Sequence, residues 1–179
     1  IDDLRQMAYN ARARVQGHAD APTAAALRER FNYIFDTPPG SHYPPICDLH
    51  TIEGPITIEG AGGPLHITPF TVPHGEITAI GLQIPTAGGG IIYLPDVETI
   101  PEDAWPIIGQ PEIFICDALR HEPHPSHAHL ALTLDWMARA NCKRGVITNM
   151  HIDLDYDAVM AETPDHIVPA HDGMRIELI

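Results

Sequence analysis

Four short polar clusters in this 179-residue chain each follow a run of apolar, mostly β-branched residues. Val72-Pro73-His74-Gly75 puts an imidazole on a turn between two such runs, and Tyr93-Leu94-Pro95-Asp96 puts a carboxylate just after one. His121, His124, His127 and His129 fall within nine residues ahead of a helix-like segment. Thr148-Asn149-Met150-His151-Ile152-Asp153 follows Val146-Ile147. Imidazole and carboxylate together suit Zn²⁺, Mn²⁺ or Fe, and a carboxylate shared between two ions is common in dinuclear hydrolytic sites. Each cluster also has a plainer reading. A histidine in a Gly/Pro turn is often only solvated, and Asp96, Ser126, Asp153 or Asp155 would serve as a helix N-cap. What lifts the four together is their common place after strands, because one edge of a layered sheet can gather them.

The elements that would do this gathering follow from periodicity. Residues 2–11 read as a helix with Asp2 or Asp3 at its start, and Arg14 to His18 as a short strand. Thr23 to Phe35 reads as a helix, with Ala26, Leu27, Phe31 and Ile34 at helical spacing. Asp36 to Pro45 is proline-rich loop. From Ile46 to Leu94 the texture is that of strands, with Ile56–Ile58, Leu65–Val72, Ile77–Ile84 and Ile91–Leu94 cut by Gly and Pro turns. Beyond Pro101 helix and strand alternate: helix 101–108, strand 113–116, helix 127–140, strand 145–148 and helix 156–162, then short strands near Ile167 and over 174–178. A meander followed by alternating α and β predicts one compact α/β domain with helices packed on sheet.

Composition narrows the function. With 44% hydrophobic and 19% charged residues the chain is globular. Acids outnumber bases 24 to 10, a net charge of −14, which argues against extended nucleic acid and against an anionic membrane surface. No apolar run approaches the roughly 20 residues of a membrane span. Cys47, Cys116 and Cys142 are an odd number without a CxxC pair, which suits the reducing cytoplasm.

The succession VPHG, IYLPD, CDALRHEPHPSHAHL, VITNMHIDLDY and PAHDGMRIEL resembles the second half of a metallo-β-lactamase-fold hydrolase, in particular the phosphoribosyl 1,2-cyclic phosphate phosphodiesterase type. The resemblance implies an α/β fold, the αββα sandwich, here partial and lacking much of the first sheet. The opening Ile1-Asp2-Asp3-Leu4-Arg5 resembles the stretch just after that family's HxHxDH metal motif. The expectation is therefore a single domain over 1–179 truncated at its N-terminus, with the remaining ligands upstream.

By the same resemblance His74 is a metal ligand, Asp96 the carboxylate bridging two ions, and His127 a proton donor to the leaving oxygen. Asn149 stands where the family has a ligating histidine. If the strand runs past Thr148, His151 reaches the same place, because residues two apart in extended chain point the same way. That makes His151 a candidate metal ligand, and Asn149 and His129 candidates for contact with substrate. His171 reads as structural. The implied cofactor is a pair of divalent ions, Zn or Mn. The implied reaction is phosphodiester hydrolysis by a metal-bound hydroxide, on a small nucleotide or sugar cyclic phosphate, with two cations offsetting the acidic chain. A homodimer is compatible with the sequence. Three alternatives stay open: a non-catalytic nucleotide-binding relative, an RNA-processing nuclease of the same fold, and a cupin-like barrel. The last is disfavoured by the helices after Pro101.

Overall fold

Isoleucine-rich runs cut by glycine and proline turns build most of the sheet. The computed structural model describes residues 1–178, and the chain divides into two units, Ile1–Gly54 and Pro55–Ile179. The first unit holds α1 (Leu4–Ala11), β1 (Val15–Ala19), α2 (Ala21–Arg30), α3 (Asn32–Phe35) and β2 (Cys47–Thr51). β1 and β2 pair in parallel, Val15 opposite Cys47. Ala8, Ile34, Phe35, Ile46 and Cys47 form its core, with Leu27 and Phe31 against them. The Asp20 carboxylate accepts the Thr23 N–H at 3.1 Å and Pro22 lies in the first turn, so α2 starts where a cap and a pre-set φ coincide. The helix expected through Phe35 instead breaks at Phe31 (φ −132°, ψ 37°), and a separate turn carries Ile34 and Phe35 into the core. Neither expected cap holds α1: Asp3 makes no side-chain cap, and Asp2 accepts from the Tyr33 hydroxyl at 2.7 Å.

The second unit is built on a seven-stranded sheet in sequential order: β3 (Ile56–Ile58), β4 (Leu65–His74), β5 (Ile77–Ile84), β6 (Ile91–Leu94), β7 (Ile113–Asp117), β8 (Arg144–Thr148) and β9 (Ile167–Pro169). The pairs from β3 to β6 are antiparallel and those from β6 to β9 parallel. Parallel neighbours need crossovers. These run through a 3-10 turn (Glu102–Ala104) and α4 (Trp105–Ile108), then α5 (Leu130–Ala140), then α6 (Tyr156–Glu162). The centres of β7 and β8 are buried along their length, which is why they read as unbroken apolar runs rather than alternating ones. Phe114, Ile147, Leu94 and Val72 are fully buried in one core with Met137 of α5 and Val159 of α6.

Three expected boundaries shift. The 101–108 helix is split, because Pro106 has no N–H to donate and fits only the first turn of α4. α5 starts at Leu130 with His129 as its N-cap residue, so His127 precedes the helix rather than opening it. Residues 174–178 form no strand. β9 remains a sheet edge, and Pro169 blunts it by lacking a donor. Asp155 caps α6 by accepting the Ala158 N–H at 3.0 Å.

At the N-terminal ends of β6 and β7 the Pro85–Gly90 turn closes around a carboxylate. The Thr86 hydroxyl donates to Glu112 at 3.2 Å and itself accepts from the Gly88 and Gly90 N–H groups. Gly89 and Gly90 in this turn have φ of +128° and +101°, and β-carbons there would lie 3.0 Å from the Gln110 and 3.1 Å from the Ile84 carbonyl oxygen, so glycine suits both positions.

No helix among the described residues is long and apolar enough to cross a membrane. Cys47, Cys116 and Cys142 are free and buried, and burial pushes all three thiols up, Cys116 most of all. Because the thiolate is the nucleophile, iodoacetamide should label the native protein many-fold more slowly than the urea-unfolded chain. Fast native labelling of Cys116, mapped by mass spectrometry, would contradict this.

Candidate metal centre

The sheet's topology decides which side chains meet. β4 is antiparallel to β5, and β5 to β6, so β4 runs parallel to β6, β7 and β8. The C-terminal ends of these four strands therefore lie on one edge. His74 ends β4, Asp96 follows β6 by two residues, Asp117 ends β7 and Asn149 follows β8. Open α/β sheets gather ligands at this edge.

His74, Asp96 and His127 offer donor atoms that all lie within 4.8 Å of one another. The His74 and His127 rings meet edge to face, centroids 4.5 Å apart. Each ring is oriented through Nδ1. That of His74 is 2.7 Å from the Ser126 carbonyl oxygen, which can only accept, so the proton sits on Nδ1 and the Nε2 lone pair is free. That of His127 lies 2.8 Å from Asp117 Oδ2, an oxygen that also accepts the Val97 N–H at 3.1 Å. Histidines that hold metals are commonly oriented in this way by a carbonyl or carboxylate on the other nitrogen.

Gly75 makes the approach of the two segments possible. Its φ is +64°, and a β-carbon there would sit 2.9 Å from Cβ of Ser126. Glycine alone meets both conditions cheaply, and this lets the residues before His127 lie against the His74 turn. The Ala128 N–H donates to the Val97 carbonyl, fixing the segment from its other side.

Asp117 was not singled out in the sequence. It is fully buried, and the Thr133 hydroxyl donates to its backbone oxygen. Burial pushes its carboxyl above the ordinary range, while His127, the Val97 N–H and Asn149 pull it back. A raised native value means the folded state holds this proton more tightly than the unfolded chain does. The stabilisation is therefore complete below the unfolded carboxylate pKa of about 3.9 and is lost as pH rises through the native value. In metal-free protein, Asp117→Asn should remove that downward slope of unfolding free energy with pH, measured by urea denaturation. An unchanged slope would show that Asp117 does not set it.

The other expected residues divide. The Asn149 amide nitrogen lies 3.4 Å from Asp96 Oδ1, 3.3 Å from Asp117 Oδ1 and 3.3 Å from His127 Nδ1, so it belongs to the cluster. His151 does not. β8 ends at Thr148, and Asn149 is left-handed (φ 60°), so the extended alternation that would have aimed His151 here stops. Its Nδ1 instead pairs with Asp153 at 2.9 Å, and the side chain is about half exposed. His129 holds the start of α5 through its backbone oxygen, which accepts the Thr133 N–H. Among the described residues no hydrogen bond ties its ring to the cluster. The His171 ring meets that of Tyr156 edge to face, centroids 6.2 Å apart.

The polar groups so assembled sit on an α/β metallo-β-lactamase fold, and the chain belongs to the beta-lactamase superfamily domain family, whose model matches residues 1–152. A diphosphatase from the PhnP family is 27% identical over 93% of this chain and 60% of that one, with a TM-score of 0.78. Zn²⁺-bound PqqB from Methylobacterium extorquens is 18% identical over 93% of this chain and 66% of its own, with a TM-score of 0.67. The short form of human tRNase Z is 12% identical over 92% and 67%, with a TM-score of 0.65. At such identities the last two share the fold alone. The chain spans 60% and 66% of the first two structures. No curated protein sequence gives a significant match.

Proposed function

We propose that the protein is a metal-dependent hydrolase of small phosphorylated substrates, a phosphodiesterase of the phosphoribosyl 1,2-cyclic phosphate type. The carrying observation is the convergence of His74, Asp96 and His127 within 4.8 Å, on the strand edge where this fold class places ligands. The His74 nitrogen and the Asp96 carboxylate suit a divalent ion such as Zn or Mn, with the oriented His127 ring beside them. Two ions would need donors beyond these three residues. When bound, the metal supplies Lewis-acid stabilisation of charge developing on phosphoryl oxygens.

His74 and Asp96 hold the metal in this reading. Asp117 accepts from Nδ1 of His127 and so orients the ring, and a proton held on Nε2 is then the one delivered to the departing oxygen. Asn149 lies between Asp96 and His127 and offers an amide N–H to substrate phosphate. The buried free thiols and the absence of a basic stripe support a cytoplasmic enzyme with a small-molecule partner. The 27% identity to a diphosphatase supports hydrolysis at phosphorus. In the test, the full protein binds Zn²⁺ or Mn²⁺ and hydrolyses bis-p-nitrophenyl phosphate, and a chelator abolishes the activity. Metal binding without turnover would favour a non-catalytic nucleotide-binding relative, and failure to bind metal overturns the proposal.

A further inference from the structure

We propose that His124 is a substrate-binding group of this site, donating its Nε2–H to a non-bridging phosphoryl oxygen beside His127. The proposal rests on the hydrolase reading above and adds a residue to it.

The observation is a contrast of tautomers. Nδ1 of His124 lies 3.3 Å from the Ser126 backbone nitrogen and 3.2 Å from its hydroxyl oxygen. A backbone N–H can only donate, so Nδ1 must accept, and the neutral ring carries its proton on Nε2. His74 is the reverse. Its Nδ1 faces a carbonyl, which leaves a bare lone pair on Nε2. The rings of His124 and His127 lie 5.3 Å apart, and those of His127 and His74 4.5 Å apart. Both within ring contact of His127, then, stand a histidine set up to give a lone pair and one set up to give a hydrogen. A metal takes the first, and an anionic phosphoryl oxygen takes the second.

The segment is also fixed in advance. Arg120 donates to the Pro123 carbonyl at 2.8 Å and to the Glu122 carbonyl at 3.2 Å, holding the turn closed. Pro123 and Pro125 restrict the backbone on both sides of His124. The Ser126 carbonyl is tied to His74. The ring is half-buried, and among the described residues Nε2 has no protein partner. A donor pre-positioned in this way loses little freedom on binding.

The competing explanation is that His124 only accepts from Ser126 and keeps the loop in shape. Two amides separate the explanations. The side-chain nitrogen of glutamine falls near the imidazole Nε2 position, whereas the oxygen of asparagine falls near Nδ1. If His124 binds substrate, His124→Gln stays within about threefold of wild-type kcat/KM, and His124→Asn loses roughly 10–100-fold. Metal content is unchanged in both, and inhibition by inorganic phosphate weakens only in His124→Asn. A reversed ranking, equal losses with metal and Tm intact, or no loss in either variant overturns the proposal. The wild-type protein supplies a second test that does not depend on the variants folding. Ring ¹⁵N shifts should show the His124 proton on Nε2, and inorganic phosphate should perturb that nitrogen. A proton on Nδ1, or no perturbation by phosphate, overturns it. A wild type that hydrolyses no phosphodiester defeats the hydrolase reading instead, and the phosphate titration then still decides whether His124 binds the anion.

Discussion

Asp96→Ala should yield a folded protein that has lost tight metal binding and, with it, phosphodiester hydrolysis. The carboxylate is the only anionic donor in the three-residue cluster. Removing it leaves His74 as the one remaining ligand of the proposed pair and no negative charge to offset that of the cation. Loss of an outer-shell partner alone costs about 10–100-fold in metal affinity, so loss of the ligand itself should exceed that. Stability should hardly change, because the side chain is about half exposed and lies outside the core. Metal stoichiometry by elemental analysis, read beside a thermal melt, separates the two effects. Wild-type metal content in a folded Asp96→Ala protein would remove Asp96 from the site.

His127→Ala should lower kcat by roughly 10²–10⁴ with metal content intact, as expected of a general acid. The geometry makes this a demanding test, because His127 sits among the donor atoms and is also bonded to a buried carboxylate. The His127–Asp117 contact favours a proton on Nδ1, which leaves Nε2 either to carry a proton for the leaving oxygen or to ligate the ion, but not both. If metal is lost together with activity, His127 is a ligand and the proton comes from elsewhere. A pH–rate profile on the full protein adds a further check, because losing a general acid should flatten the alkaline limb.

Much of this was legible from local pattern. Apolar runs bounded by glycine and proline gave the positions of β3 to β8, and a polar residue just past such a run pointed to His74, Asp96 and Asn149. The misses share a cause, which is that tertiary context outweighed local pattern. Asp117 ends an apolar run as Asp96 follows one, and that shared position was the available signal. His151 was placed by an alternation valid only in extended chain, and one left-handed residue at Asn149 ended it. β2 has a single aliphatic side chain, Leu49, and its pairing with β1 is not apparent from its own five residues. Phe31 and Ile34 keep helical spacing, yet the backbone between them breaks so that Ile34 and Phe35 can be buried.

The glycine turn around Glu112 bears on how this scaffold tolerates change. Its strands have one end fixed by a turn whose backbone calls for glycine, at Gly89 (φ +128°) and Gly90 (φ +101°). Their other end opens into connections whose exposed tips bear little on the core, although Val97, Ala118, Ala128 and Leu154 within them are buried in it. Substrate preference can therefore be tuned at exposed positions of these connections, such as Thr99, Glu122 and Ile152, while strand register is held from the far side. Libraries confined to those exposed positions should retain folded members, whereas randomising residues 86–90 should mostly yield chains that misassemble.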